Sequence, residues 1–451
     1  MSSATMGKDK TASGETAIGF RKNPCYATRM LLQNAAYIGP DLRLHHDDLR
    51  IENTIISQIA PNLSPNQDEE VHDCAGMILI PALADCHVHT PDTLFKGLFN
   101  GVPMIEWCND TPQGRLQKRL FDYLDTHARS PEFRTLVLYA YVQYVKQGIA
   151  CIVESGQADD SQSVLHACAC EIGLKALVDY YDQYDPTIPT ETTISIGTHL
   201  PEEEDLTPEL LREVQERCAA ASPWIMTHCL ETDWRLADIQ EKFGTSTVQV
   251  MQNAALLNEK SILFHCIQVT EQDIAAIGEA HATVVCCPIS TLRGSEGLMP
   301  LQNMLAHKVN ITIGTDFIEH DIWDSIRCLY TTMSDPAFPP IDREAVVFAM
   351  ATSNAETIFK NNGYSGLIQL GASADICCIG HTAELDPLVE LSEFSNVLHN
   401  VLMQGGKDMV KHLMVNGVFV VYDGVCQTID EEQVVSEYRD LVARLVVESR
   451  A

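Results

Sequence analysis

Residues 77–90 read MILIPALADCHVHT, an apolar run that ends in two histidines separated by one residue. The segment MILIPALADCH (77–87) has the length and composition of a buried strand. The spacing of His87 and His89 puts both imidazoles on one face of an extended chain. Two imidazoles on one buried face are costly without a metal or strong partners. The stretch therefore predicts a strand that delivers a pair of ligands.

Seven further runs of strand length follow: GIACIVE (148–154), LKALVDYY (174–181), TISIGTH (193–199), WIMTHCLE (224–231), ILFHCIQV (262–269), ATVVCCP (282–288) and ITIGTD (311–316). Helix-like stretches separate most of them. TPELLREVQERCAAA, for example, opens with Thr207 as N-cap and Pro208 at the first helical position. Apolar strands alternating with amphipathic helices predict a parallel sheet buried on both faces. Eight of them predict an α/β fold, a distorted (β/α)8 TIM barrel. YDQYDPTIPTET, between the third and fourth runs, is short and broken by proline. That crossover is expected to lack a proper helix, and a doubly wound open sheet is the alternative.

The polar residues favour the barrel. His87, His89, His199, His228, Glu231, His265 and Asp316 fall towards the C-terminal ends of several strands, which a barrel gathers on one rim. Neutral imidazoles plus a carboxylate suit zinc or another first-row divalent ion. A remaining Glu and His would serve the proton transfers of metal-assisted hydrolysis. His228 and Glu231 cannot share a strand face, so Glu231 is expected just past the strand end, reaching inward. Asp316 has a competing reading as the N-cap of the next segment. His127, His166, His281 and His320 lack such context and read as surface or packing residues.

Residues 1–20 are polar and aperiodic, the pattern of a disordered tail. Strand-like pieces (ATRMLLQNAAYI, LRIENTIISQIA) precede the barrel, and similar ones (GASADICCIG, KHLMVNGVFVVYDG) follow it. The two ends, 21–78 and 366–430, are expected to pair into a small β-sandwich domain. The barrel (79–365) is inserted between them, and a charged helix occupies 431–451.

Of the 451 residues, 30 are basic and 62 acidic, a formal charge of −32. Such a surface repels nucleic acid and anionic membranes. Several of the 16 cysteines lie inside apolar runs, without Cys-x-x-Cys pairs. The N-terminus MSSATMGKDKTASGET has no apolar secretory core, and no run approaches the roughly 18 apolar residues of a membrane span. A reducing, cytoplasmic setting is expected.

These motifs resemble the amidohydrolase superfamily, in the branch of triazine hydrolases, guanine deaminase and methylthioadenosine/S-adenosylhomocysteine deaminases. The matching stretches are PALADCHVHTPDTLFKGL, VPMIEW, MTHCLET, LFHCIQVTEQDI, CCPISTLRGSEGLMPLQNML, IGTDF, ATSNAETIF and HLMVNGVFVVYDG, so the likeness spans residues 28 to 425. It implies one divalent ion, zinc first and iron second, on His87, His89, His228 and Asp316. Glu231 and His265, with Asp316, would handle protons. Glu106 and Trp107 of VPMIEW, together with His199 and Phe317, would meet the substrate. The implied partners are a small heterocyclic molecule and water, the implied reaction is hydrolytic deamination, and relatives of this kind form dimers or larger homo-oligomers. Loss of another group (halide, alkylamine), opening of a cyclic amide, or a non-catalytic scaffold are the alternatives. Cys287, Thr291, Phe317 and the GTH of residues 197–199 depart from the branch's usual residues. They lie beside the expected pocket and leave the substrate open.

Overall fold

A computed structural model describes residues 29–99, 101–318, 321–334 and 342–448. The expected N-terminal tail and His320 lie outside the described residues. Eight parallel strands form one sheet in sequential order: β1 (Leu83–Val88), β2 (Ile149–Glu154), β3 (Lys175–Asp179), β4 (Ile194–His199), β5 (Trp224–Cys229), β6 (Ser261–His265), β7 (Thr283–Cys286) and β8 (Asn310–Ile313). Every residue of β2 and β3 is buried, as strands covered on both faces must be. Helices follow most strands. That of Pro208–Ala221 starts as expected, with the Thr207 side chain accepting from Leu210 N. The crossover from β3 to β4 carries only a 3₁₀ turn at Tyr181–Gln183.

The circle closes between β1 and the residues just past β8. Val88 bridges Asp316 in parallel fashion, and Asp316 N donates to His87 O at 2.8 Å. Behind them the buried carboxylate of Asp85 accepts from Thr315 N at 2.9 Å and Thr315 Oγ1 at 2.6 Å.

Strands from both ends of the chain build a second, nine-stranded sheet. The run 77–87, expected as one barrel strand, feeds both sheets. Met77–Pro81 pairs antiparallel with Ile376–Gly380 in the second sheet, and Leu83–Val88 opens the barrel. Ala82 sits at the switch, its N–H donating to Asp375 O at 3.0 Å and its carbonyl accepting from Tyr364 at 2.7 Å. Beside it, Lys175 of β3 and Asp375 form a buried ion pair at 2.6 Å. The closing helix, Glu431–Glu448, packs on Pro131–Val145 through the stacked rings of Tyr139 and Tyr438. Among the described residues, every cysteine is free and no helix is long and apolar enough to cross a membrane.

Candidate metal centre

Three imidazoles and one carboxylate converge at the barrel rim. His87 Nε2 lies 3.1 Å from His89 Nε2, which lies 3.2 Å from His228 Nε2. Asp316 Oδ1 stands 3.2 Å from His87 Nε2 and 3.3 Å from His89 Nε2. Four ligands about 2.0–2.1 Å from a tetrahedral ion stand roughly 3.3 Å apart, so these donors fit a single divalent cation. Each of these histidines is held from behind. His89 Nδ1 donates to Gly156 O at 3.0 Å, His228 Nδ1 to Glu202 Oε1 at 2.7 Å, and His87 Nδ1 faces Ser155 Oγ at 3.4 Å. The His87 ring also stacks on Phe264, centroids 3.7 Å apart. The second ring nitrogens point away from the cluster, so every Nε2 is free to face an ion.

His265 stands with His87, His228 and Asp316 in a group whose donor atoms all lie within 4.8 Å of one another. Both its ring nitrogens are buried without a hydrogen-bond partner, and Nε2 lies 3.6 Å from Glu231 Oε1. Burial pushes its pKa down to about 4, which keeps the ring neutral. An orphaned neutral imidazole facing the cluster is suited to a water or substrate atom. Leu230, His265 and Asp316 leave their strands with φ of 50°, 69° and 64°. Left-handed backbone at non-glycine residues costs about 1–3 kcal/mol each, and here it turns the site's side chains inward.

Glu231 lies just beyond β5, as expected. Arg235, four residues on in the helix Asp233–Phe243, grips its Oε2 at 2.8 Å and reaches Glu204 Oε1 at 2.7 Å. Burial raises the Glu231 carboxyl despite Arg235. Glu296 hydrogen-bonds to it across the cavity and is pushed up to about 9, first by burial and then by Glu231 itself. Two carboxyls in contact must share a proton. Ser290 donates to Asp316 Oδ2.

The cavity in front of the cluster is lined by His89, His228, Glu231 and Asp316 below, and by Phe99, Trp107 and Phe317 at one side. Trp107 and Phe317 stand 5.5 Å apart, with Phe99 packed on both. Glu106 and His199 are not among the lining residues. Glu106 is exposed on the 3₁₀ turn Met104–Glu106. His199 is buried, with Nδ1 on Asp179 at 2.7 Å and Nε2 on Glu202 at 3.2 Å.

Several contributors went unrecognised in the sequence. In PEEED (201–205), a stretch the sequence reading passed over, Glu202 holds His228. Glu203 accepts from Leu230 N and Thr247 Oγ1 at 2.8 and 2.7 Å, and Glu204 holds Arg235. Glu154, ending β2, accepts from Thr90 N, Gly156 N and the Tyr141 hydroxyl at 3.0, 2.8 and 3.0 Å, framing the segment after His89. A carboxylate closing an apolar strand was the available signal for Glu154, and the four-residue spacing from Glu231 was that for Arg235.

A family model described as the amidohydrolase family matches residues 78–420. The chain belongs to that family. The relatives it matches are named as deaminases, hydrolases acting on carbon–nitrogen bonds. The 5-methylthioadenosine/S-adenosylhomocysteine deaminase of Pyrococcus furiosus is 26% identical over 437 residues, covering 92% of this chain and 100% of the relative. A 5'-deoxyadenosine deaminase of Methanothrix thermoacetophila is 24% identical over 442 residues, 93% of this chain and 100% of its own. Among solved structures, an adenosine deaminase from Xanthomonas campestris with bound zinc superposes with TM-score 0.79 at 20% identity. That match covers 93% of this chain and 99% of the other.

Proposed function

We propose that the protein is a metal-dependent aminohydrolase that removes ammonia from an amino-substituted heterocycle of purine, pterin, triazine or nucleoside type. The observation that carries this reading is the convergence of His87, His89, His228 and Asp316 at 3.1–3.3 Å beside the unpartnered His265 and the buried Glu231. Both relatives named above are deaminases of adenosine-like compounds along nearly their whole length.

His87, His89, His228 and Asp316 would hold a divalent ion, which would supply Lewis-acid activation of the attacking water near neutral pH. Asp316 takes up the proton released from that water. His265, neutral at working pH, hydrogen-bonds to the oxygen that attacks. Glu231 delivers a proton to the ring nitrogen beside the attacked carbon, and Glu296 supports it as proton partner. A carbon–oxygen bond forms, the carbon–nitrogen bond breaks, Asp316 passes its proton to the departing amine, which leaves as ammonia, and the proton left on the new oxygen returns to Glu231 as the carbonyl forms. Phe99, Trp107 and Phe317 offer flat apolar faces to the ring. Glu106 and His199 are given no contact with the ring.

Zinc as the ion, the cytoplasm as the compartment and a homo-oligomeric assembly belong to the same proposal. Three imidazoles and a carboxylate suit zinc, and the free cysteines suit a reducing compartment. The test is an assay of the zinc-loaded protein against a panel of amino-heterocycles, reading ammonia, halide and alkylamine. Ammonia release that stops on chelation and returns with zinc is expected. Release of halide or alkylamine alone would replace deamination by another hydrolysis. No product from any member would count against the reading.

A further inference from the structure

The three ligand imidazoles are backed by acceptors of very different strength. His87 has a serine hydroxyl at 3.4 Å, His89 a backbone carbonyl at 3.0 Å, and His228 the Glu202 carboxylate at 2.7 Å. A charged acceptor makes the shorter and stronger bond. Glu202 is itself held, because its Oε1 also accepts from His199 Nε2 at 3.2 Å. His199 Nδ1 donates to Asp179 Oδ2 at 2.7 Å, and Asp179 Oδ1 is fixed by Tyr181 N at 2.8 Å. The Tyr181 ring stacks on His199 with centroids 4.7 Å apart. His199 and Asp179 are 3% and 0% exposed. A carboxylate offers only acceptors, so a ring with a carboxylate at each nitrogen must present N–H on both. That leaves His199 no nitrogen for a substrate, and it does not line the cavity.

We propose that Asp179, His199 and Glu202 form a positioning relay that locks His228 in the tautomer and ring orientation turning Nε2 to the metal, and that His199 serves this relay and not substrate recognition. The relay rests on the metal reading of the centre. It runs from the end of β3 through the end of β4 to the end of β5, so three neighbouring strands are tied to one ligand. The carboxylate at Nδ1 raises the basicity of Nε2, the atom that would bind the ion. The doubly flanked imidazole offsets the charge of the two carboxylates, which otherwise would repel across a buried gap.

The test uses the full-length chain and metal alone. Zinc affinity is measured by competition with a chromophoric chelator for the unaltered protein, Glu202→Gln, Glu202→Asp and His199→Gln. Loss of an outer partner of a metal ligand weakens binding by about 10–100-fold, the drop expected for both glutamine variants, with Glu202→Asp weakened less. A second measurement reads only folded, loaded molecules: proton NMR of the cobalt(II) form, where each ligand imidazole gives a shifted, exchangeable ring N–H signal. Glu202→Gln should move one of these signals and leave the other two. Zinc affinity within threefold of the unaltered protein in either glutamine variant, or three unmoved signals in Glu202→Gln, overturns the relay and leaves the metal reading intact. An unaltered protein that binds no zinc overturns both.

Discussion

Asp316 N–H donates to the carbonyl of His87 at 2.8 Å, and this bond lies where the first and last barrel strands meet. The closure of the sheet thus sets Asp316 Oδ1 3.2 and 3.3 Å from the Nε2 atoms of His87 and His89.

The seam can be weakened without touching a ligand. Thr315→Val removes the hydroxyl that donates to buried Asp85 Oδ2 at 2.6 Å. Leaving a buried charged group short of one hydrogen bond costs about 1–3 kcal/mol. Urea denaturation should show that loss, and zinc affinity should fall with it. Unchanged stability would detach the seam from the site.

Glu231 is assigned to protons and not to the metal. Glu231→Gln should hold one equivalent of zinc while turnover drops by about 10²–10⁴-fold, the range for a general acid–base group. Metal analysis beside the ammonia assay checks both halves. Loss of zinc in this variant would make Glu231 a ligand.

The fold's two sheets are joined by Lys175 and Asp375, whose side chains are 0% and 2% exposed. Lys175→Met strands a carboxylate in the interior, and breaking one partner of such a pair costs about 3–5 kcal/mol. Thermal unfolding should register the change, with turnover at low temperature preserved because the pair lies away from the cavity. A variant as stable as the parent would contradict the buried pairing.

His199 gives a pH signature. Burial opposes its charge, but Glu202 and Asp179 prevail and raise it from 6.5 to about 10. A group whose folded pKa is raised stabilises fully below the unfolded value and loses that contribution as pH rises through the folded one. In metal-free protein, the stability advantage of the parent over His199→Gln should therefore be greatest below pH 6.5 and shrink progressively towards pH 10. Urea titrations across that range decide it. A difference independent of pH would mean that His199 is neutral.

The convergence of these residues was legible in the sequence because the proposed ligands close apolar strands. The pair His87/His89, His228, His265 and Asp316 all sit where a run of Ile, Leu and Val stops, and a barrel leaves such positions on one rim. Glu231, just past its strand, was placed by the same logic. The switch at Ala82 was hidden because an unbroken apolar run cannot show that its halves pair with different sheets. Glu202, Glu204 and Glu296 were hidden for another reason. They ride on loops, and which way a loop carboxylate faces depends on partners such as His228 and Arg235 that only the fold supplies. His199 illustrates the converse: the family resemblance assigned it to the substrate, and its neighbours hold both its nitrogens.

The central claim is most directly tested by anomalous X-ray scattering from crystals of the zinc-loaded protein, collected at the zinc absorption edge. One peak per chain is expected, about 2.0–2.2 Å from His87 Nε2, His89 Nε2, His228 Nε2 and Asp316 Oδ1. A peak elsewhere, or none between these four atoms in zinc-saturated crystals, would contradict it.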